Sequence, residues 1–173
     1  MTVLKPVRTE TGRGPRVLCT ANLVLAVLAT LAPIAHVLEM PNKLTLDGPL
    51  WLAIQQNLYR GWGPFVGGPV EILALATTLA LLVARRHDLA PMRLTLVAAI
   101  AYAGMIATFF VLNDPVNAAL NTWTPSSIPP YWSSYRLQWE VGHALAAILS
   151  CLALMTLLRA WLIARECAVK PSA

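Results

Sequence analysis

The stretch RLQWEVGHALAAILSCLALMTLL, residues 136–158, is a long apolar run that opens with an acid and an imidazole. It is long enough to cross a bilayer as a helix, which takes about 20 apolar residues. Glu140 and His143 are three positions apart and therefore share one face of that helix. A lipid-facing surface should carry neither, so the stretch predicts a membrane helix that turns a polar face inward.

The rest of the chain has the same membrane character. Of its 173 residues, 57% are hydrophobic and only 12% charged, and the mean hydropathy is +0.61. Such a composition leaves too little polar surface to coat a soluble globule. We predict an all-α fold, a transmembrane four-helix up-down bundle, with a basic segment before it and a tail after it. The predicted segments are 1–16, the bundle 17–163 with spans at 17–40, 64–84, 94–113 and 137–163, and the tail 164–173.

The basic residues predict an orientation for this bundle. Ten of the 13 lysines and arginines flank one side of the spans, and three, Lys43, Arg60 and Arg136, flank the other. By the positive-inside rule both termini are cytoplasmic. The net charge of +5 is thus explained by topology, and we expect no nucleic-acid partner. We expect a multi-pass protein of a bacterial inner membrane, embedded in the lipid bilayer, with its oligomeric state open.

Two long connections on the predicted outer side carry helical sequence of their own. GPLWLAIQQNLYRGWGP, residues 48–64, predicts a short amphipathic interfacial helix. Its predicted apolar face is Leu50, Trp51, Ile54 and Leu58, and its predicted polar face is Gln55, Gln56 and Arg60. The second connection begins with Asp114 before Pro115, a typical helix start, and predicts a structured second outer loop. Together the two connections are expected to roof the outer end of the bundle.

Polar residues recur at one depth within the predicted spans. A charged group inside a span costs a few kcal/mol, so such residues usually face the bundle interior. Counting about 1.5 Å per residue from the cytoplasmic arginines puts them all in one layer of the outer leaflet. The layer consists of His36 and Glu39, Glu71, Asn113 and Asp114, and Glu140 and His143. A simpler interpretation pairs Glu39 with Lys43 and Glu140 with Arg136, each four residues apart.

The layer predicts a metal centre as the first hypothesis. Two imidazoles and three carboxylates resemble the inward-facing ligand set of two-metal carboxylate bundles. Mixed nitrogen and oxygen donors suit Fe, Mn, Cu or Zn, so one or two such ions are expected. The predicted ligands are His36, Glu39, Glu71, Glu140 and His143. A haem held between the two histidines is an open alternative.

Short motifs resemble a known membrane family. NDPVN, residues 113–117, followed by Trp132, Arg136, Trp139 and His143, resembles the Asn-x-Pro-Leu-Asn and Trp-x-x-x-Arg-x-x-Trp-x-x-x-His blocks of the small four-helix family that includes the fungal anthrone oxygenases. HVLEMPNK and WLAIQQNLYRGWGP resemble the corresponding parts of bacterial relatives, and the likeness covers most of residues 20–160. It implies an oxygenase acting on polycyclic aromatic or quinone-like substrates.

These observations predict a metal-dependent membrane oxidoreductase or oxygenase. Its substrate is expected to be a lipid-soluble aromatic or quinone-like molecule in a pocket at the outer end. The predicted catalytic residues are Glu71, Glu140, His143 and Arg136. The predicted substrate-binding residues are Asn113, Asn117, Trp139, Gln55 and Gln56. Two other functions are open: a metal-free acid–base isomerase of a sterol-like or phenolic lipid, and a non-enzymatic carrier or accessory subunit.

Overall fold

The computed structural model describes residues 13–169, with side chains for residues 16–165, and this part of the chain contains helices and no strand. Most of the predicted segment 1–16 and part of the tail 164–173 lie outside the described residues. The helices are α1 Arg13–Lys43, α2 Gly48–Asn57, α3 Gly68–Ala84, α4 Leu89–Thr108, α5 Asp114–Leu120 and α6 Trp132–Val169. A π-helical segment, Gly63–Gly67, precedes α3, and another, Phe109–Asn113, joins α4 to α5.

Four helical stretches are long and apolar enough to cross a membrane, which confirms the predicted multi-pass integral membrane protein. They are Arg16–Lys43, Gly63–Ala84, Leu89–Leu120 and Trp132–Arg165. Each contains one predicted span; three extend beyond it by several residues, and Gly63–Ala84 begins one residue before it. Hydropathy marks the part of a helix that meets lipid, whereas the helix itself continues until its backbone is capped.

The four long helices form a closed ring. α1 packs against α3 and α6, and α4 packs against the same two, so α3 and α6 stand at opposite corners. The core between them is built largely from alanines around Tyr102, Met105 and Leu157. Small side chains let membrane helices approach closely, because lipid offers no hydrophobic gain for burying larger ones. Large apolar side chains such as Leu31 and Ile148 point outward instead.

The two ends of the bundle differ. α2 starts at the N-cap Asp47, whose Oδ1 accepts a hydrogen bond from Leu50 N at 2.9 Å. Its inner face packs with α5 and the start of α6 in one apolar cluster, Trp51, Leu52, Val116, Leu120 and Trp139. We call this the roofed end, where α1 ends and α6 begins. The opposite end carries the described arginines Arg16, Arg85, Arg86, Arg93, Arg159 and Arg165, and we call it the arginine-rich end.

The short helix in the first connection is confirmed, but its predicted faces are wrong. Leu50 and Leu58 are exposed, whereas Gln55 is buried beside Trp51. Trp51 and Gln55 are four residues apart and share a helix face, so burying the tryptophan also buries the glutamine. The prediction separated residues by polarity, although helix geometry placed these two together.

Gln56 joins the two connections. Its Nε2 donates to Leu120 O at 2.7 Å and to Trp123 O at 2.9 Å, satisfying carbonyls at the end of α5. The second connection therefore starts with the predicted helix after Asn113 and is fastened to the first by this side chain. The predicted structured second loop is confirmed.

Candidate functional site

The last residue of α1, Lys43, is a buried cation at the roofed end. Its side chain is only 5% exposed, and that of Glu140 only 1%. Lys43 Nζ lies 3.2 Å from Glu140 Oε1, 3.6 Å from Glu39 Oε2 and 3.4 Å from His36 Nδ1. The lysine therefore occupies the point on which three of the predicted metal ligands converge.

Arg136 holds the end of α1 in place. Its Nη1 donates to Lys43 O at 3.0 Å and to Leu46 O at 2.7 Å, which satisfies carbonyls at the carboxyl end of the helix. The guanidinium Cζ also lies 4.6 Å over the ring of Trp132. In the described residues Glu140 pairs with Lys43 across two helices, so the simpler interpretation of an Arg136–Glu140 pair is wrong.

The two predicted histidines meet between α1 and α6. The rings of His36 and His143 have centroids 4.1 Å apart and planes inclined at 41°. Trp139 lies against both, 4.1 Å from His143 and 4.8 Å from His36. We call the contacting set His36, Glu39, Lys43, Tyr59, Trp139, Glu140 and His143 the Lys43 cluster.

Tyr59 closes the cluster from the connection after α2. Its hydroxyl donates to Glu39 Oε2 at 2.5 Å, and its ring lies 4.9 Å from His36 and 5.7 Å from Trp139. Burial, and next the hydrogen bond to the Glu39 carboxylate, raise the pKa of Tyr59 above its ordinary value of 10.0. The phenol is therefore protonated at neutral pH and serves as a donor.

Asn113 and Asn117 fix the position of Trp139. Asn113 Nδ2 donates to Trp139 O at 3.0 Å, and Trp139 Nε1 donates to Asn117 Oδ1 at 3.1 Å. The π-helical segment before α5 sets the buried amide of Asn113 against Gly142, where an added Cβ would overlap it. Asp114, the sequence alternative to Asn113, is exposed. Both asparagines thus orient the aromatic wall of the cluster.

Glu71 stands apart from the cluster. It lies in the first turn of α3, half-buried, and α3 is at the corner opposite α6. Its carboxylate forms no hydrogen bond and no ion pair with any residue that the structure describes. The structure brings together four of the five predicted ligands and leaves Glu71 without a polar link to them.

As arranged, the predicted ligands do not fit a metal ion. No group of three His, Cys, Asp or Glu side chains within the described range is placed to hold one. A transition-metal ion needs nitrogen and oxygen ligands at about 2.0–2.2 Å, and Lys43 Nζ stands where these ligands converge. Nor does a porphyrin fit between imidazole rings with centroids 4.1 Å apart. The ammonium supplies the positive charge that the buried carboxylates need.

Comparison of the chain with protein-family models, with curated proteins and with solved structures gives no match. The chemistry of the Lys43 cluster follows from its own residues. The cluster contains a cation, two carboxylates and two imidazoles walled by aromatic rings. Such a set can accept a proton and stabilise a negative charge in an apolar setting.

Sequence reasoning gave Lys43 only as the ion-pair partner of Glu39, which the distance of 3.6 Å from Nζ to Oε2 confirms, and it did not name Tyr59. Lys43 is four residues after Glu39 and seven after His36, which places all three on one helix face. The metal hypothesis listed His36 and Glu39 from that face and left Lys43 out. Tyr59 carried no comparable signal, because its reach depends on the turn around Gly61, whose φ is +80°.

Proposed function

We propose that this chain is an integral membrane enzyme that acts by acid–base chemistry on a lipid-soluble aromatic molecule at the roofed end. The observation that carries the proposal is the buried Lys43–Glu140 ion pair in contact with two neighbouring imidazoles. A buried ion pair is a weak source of stability, because desolvation offsets most of the attraction. Ionisable groups gathered inside a membrane protein more often serve function.

The surroundings of the cluster favour an aromatic substrate. Trp139 and Tyr59 present stacked rings, with planes inclined at 29°. An open cleft of about 460 Å³, lined in part by Trp62 and Phe65, lies in the segment directly after Tyr59. Aromatic side chains offer large flat contact surfaces to a planar ring system.

The proposed chemistry begins with proton transfer to the histidine pair. An ammonium has protons to donate and no lone pair, so the Lys43–His36 contact makes Nδ1 of His36 the acceptor. Because Nδ1 of His36 accepts from Lys43 and its Nε2 carries the ring proton, His143 is the imidazole that takes a proton from an acidic O–H or C–H group of the substrate. Lys43, held in position by Glu140 and Glu39, stabilises the anion that forms.

Oxidation by O₂ is the first overall reaction to test, because the sequence resembles the anthrone-oxygenase family. An anthrone-like anion is electron-rich and can reduce O₂. For a methylene substrate the balance is CH₂ plus O₂ giving C=O plus H₂O, so one oxygen atom enters the product and the other leaves as water. In this reaction the protein removes the proton, holds the anion and keeps bulk water away.

We also propose that the roofed end faces outward from a bacterial inner membrane. The described arginines of the opposite end, together with Lys5, Arg8, Arg13 and Lys170 in sequence, support this orientation by the positive-inside rule. A cysteine introduced at exposed Asn57 in the roof should then react with a membrane-impermeant maleimide in whole cells. Labelling there only after lysis would reverse the orientation.

The experiment for the proposed function uses the full chain in lipid nanodiscs with anthrone and dissolved O₂. Oxygen uptake and product absorbance are followed for the wild type, His36→Gln and His143→Gln, and for the matched control His87→Gln, whose histidine is exposed at the arginine-rich end. His143→Gln removes the general base and should slow turnover about 100-fold or more. His36→Gln removes the ring packed against that base and should slow turnover as well, and the control should be unchanged.

Metal content of the same samples separates the competing functions. Turnover that depends on both histidines in protein without stoichiometric Fe, Mn, Cu or Zn supports the acid–base proposal. Turnover that requires such a metal would support the metal-dependent oxidoreductase instead. Proton-coupled flux in liposomes without turnover would support a carrier, and either of these two results overturns the proposal.

A further inference from the structure

An apolar groove runs along the lipid-facing side of α1 near the arginine-rich end. Its volume is about 360 Å³, and Trp161 of α6 forms one wall. The α1 residues that line it span two helical turns, roughly 12 Å along the helix axis. They are Thr20, Leu23, Val24, Val27 and Leu28. We call this the α1–α6 groove, and Thr20 is the one polar side chain that lines it.

Arg165 stands at the end of the groove that is nearer the membrane surface. Its Cζ lies 4.7 Å over the ring of Trp161, the side chain that forms the α6 wall. Because α6 runs toward the arginine-rich end, Arg165 is nearer the surface than Trp161 by about one turn. Stacking on the indole gives the guanidinium a preferred place beside the groove, while the residue as a whole stays exposed.

Arg16 stands at the same level on α1. It precedes Thr20 by four residues and therefore lies on the face of α1 that carries the groove. His36 of α1 contacts His143 of α6, and the two helices run in opposite directions. Counting equal numbers of residues away from that contact brings Arg16 to within one turn of the level of Arg165. The apolar groove thus ends at two arginines.

The arginine-rich end carries an excess of positive charge. The described residues there include six arginines and one carboxylate, Asp88, which lies in the connection between α3 and α4. The ion pairs found among the described residues all lie at the roofed end. Before Arg16 and after Arg165 the sequence adds four basic residues and two acidic ones, Glu10 and Glu166. An anion at this end therefore meets a surplus of cations.

We propose that the α1–α6 groove binds a phospholipid with an anionic headgroup, with one acyl chain in the groove and the phosphate between Arg16 and Arg165. A groove that is apolar along its length and cationic at its surface end matches a molecule with hydrocarbon at one end and negative charge at the other. Arginine binds phosphate oxygens through paired hydrogen bonds. Basic sites between membrane helices near a surface attract anionic lipids.

The lining of the groove favours an acyl chain over a second protein helix. Helices associate in membranes through small residues, which let their backbones approach closely. Four of the five α1 residues in the groove are leucine or valine, and no glycine or alanine of the described residues lines it. The alanines Ala26 and Ala29 of α1 face the bundle core instead. The groove lies at the end opposite the Lys43 cluster, so this inference does not rest on the proposed function.

The test measures lipid affinities of the full chain by native mass spectrometry in detergent. The probes are phosphatidylglycerol, which is anionic, and phosphatidylcholine, which is zwitterionic, with the same acyl chains. The wild type should bind phosphatidylglycerol more tightly. Arg165→Gln should lose about fivefold in affinity for phosphatidylglycerol, the usual worth of one arginine near a membrane surface, and little for phosphatidylcholine. The matched control Arg86→Gln, an exposed arginine of the α3–α4 connection, should leave both affinities unchanged.

Val24→Trp tests whether the acyl chain lies in the groove. A tryptophan there would fill the groove, so both lipids should bind more weakly while the preference for phosphatidylglycerol remains. Val83→Trp, at another exposed valine on α3, is the matched control and should change neither affinity.

Three results would overturn the proposal. Equal affinity of the wild type for the two lipids would show that the arginines do not select an anionic headgroup. An equal loss in Arg86→Gln and Arg165→Gln would show that the arginines attract lipid only through their summed charge. Unchanged lipid affinity in Val24→Trp would show that the groove holds no acyl chain, and a loss of self-association in that variant would assign the groove to a second copy of the chain.

Discussion

Each end of the bundle buries a cation, but the two cations have different surroundings. At the arginine-rich end Arg85 is 8% exposed and donates to Thr95 Oγ1 at 2.9 Å and to Cys19 Sγ at 3.3 Å. At the roofed end Lys43 lies among two carboxylates and an imidazole, with Nζ 3.2 Å from Glu140 Oε1, and Glu140 Oε2 has no hydrogen-bond partner in the described residues. A fully satisfied network rigidifies the helices that it joins, whereas an unpaired polar group in a buried network costs free energy.

The largest expected effect comes from breaking the Lys43–Glu140 pair. Lys43→Met leaves Glu140 buried without its counter-ion and should lower the free energy of unfolding by about 3–5 kcal/mol. Adding Glu140→Leu should restore most of that loss, because apolar residues can replace a buried pair without penalty. The double variant should still turn over anthrone about 100-fold to 1,000-fold more slowly, since the cation facing the anion is gone. Recovery of both stability and turnover in the double variant would show that the pair has only a structural role.

At the arginine-rich end, Arg85→Met is the substitution that corresponds to Lys43→Met. It removes two hydrogen bonds to uncharged partners and should lower the free energy of unfolding by about 1–3 kcal/mol. Turnover per folded molecule should not change, because no part of the Lys43 cluster is touched. Thermal unfolding in detergent together with oxygen uptake measures both quantities. A large loss of turnover at normal stability would remove the distinction between the two ends.

Two glycine substitutions test how tightly the side chains pack at the roofed end. An added methyl at Gly142 would overlap the Asn113 amide, whereas one at Gly104 would lie 3.5 Å from Leu149 Cδ1, an ordinary contact. Gly142→Ala should therefore cost about 1–3 kcal/mol of stability by overpacking. It should also slow turnover, because Asn113 positions Trp139. Gly104→Ala is the matched control, and equal effects in both variants would contradict the close packing at Asn113.

The smallest expected effect is a dependence of stability on pH that comes from Tyr59. Its pKa is raised, so the protonated phenol favours the folded state. That contribution is complete below the ordinary value of 10.0 and is lost as the pH rises above it. In an ultraviolet titration the wild type should show one more late-ionising tyrosine than Tyr59→Phe does, and Glu39→Gln should bring the midpoint of that tyrosine down. Loss of the late tyrosine in a Tyr131→Phe control instead would contradict the assignment.

The sequence was sufficient to predict the helices and the depth of their polar residues. Hydropathy alone gave four spans, and a rise of about 1.5 Å per residue placed His36 and His143 at similar depth. Depth does not fix which helices are neighbours, and α3 stands at the corner opposite α6, which is why Glu71 was wrongly expected to link to the same cluster. The arrangement of the helices depends on packing between distant segments.

The direction of Lys43 also depends on distant residues. A terminal lysine can extend to the membrane surface or turn inward, and its own neighbours do not decide between the two. Here Arg136, 93 residues later, binds the carbonyl of Lys43, and Glu140 offers a buried counter-charge. Pairings over such separations come from the tertiary structure, so the sequence pattern did not indicate the ammonium among the predicted ligands.

Exchange of the acidic C–H protons of anthrone for deuterium, in D₂O without O₂, tests the central claim most directly. It reports proton removal by the Lys43 cluster whether or not oxidation follows. The wild type in nanodiscs should accelerate exchange over empty nanodiscs, His36→Gln and His143→Gln should lose that acceleration, and His87→Gln should keep it. Exchange that is no faster than in empty nanodiscs, or equally fast in all four proteins, would contradict an acid–base role for the cluster.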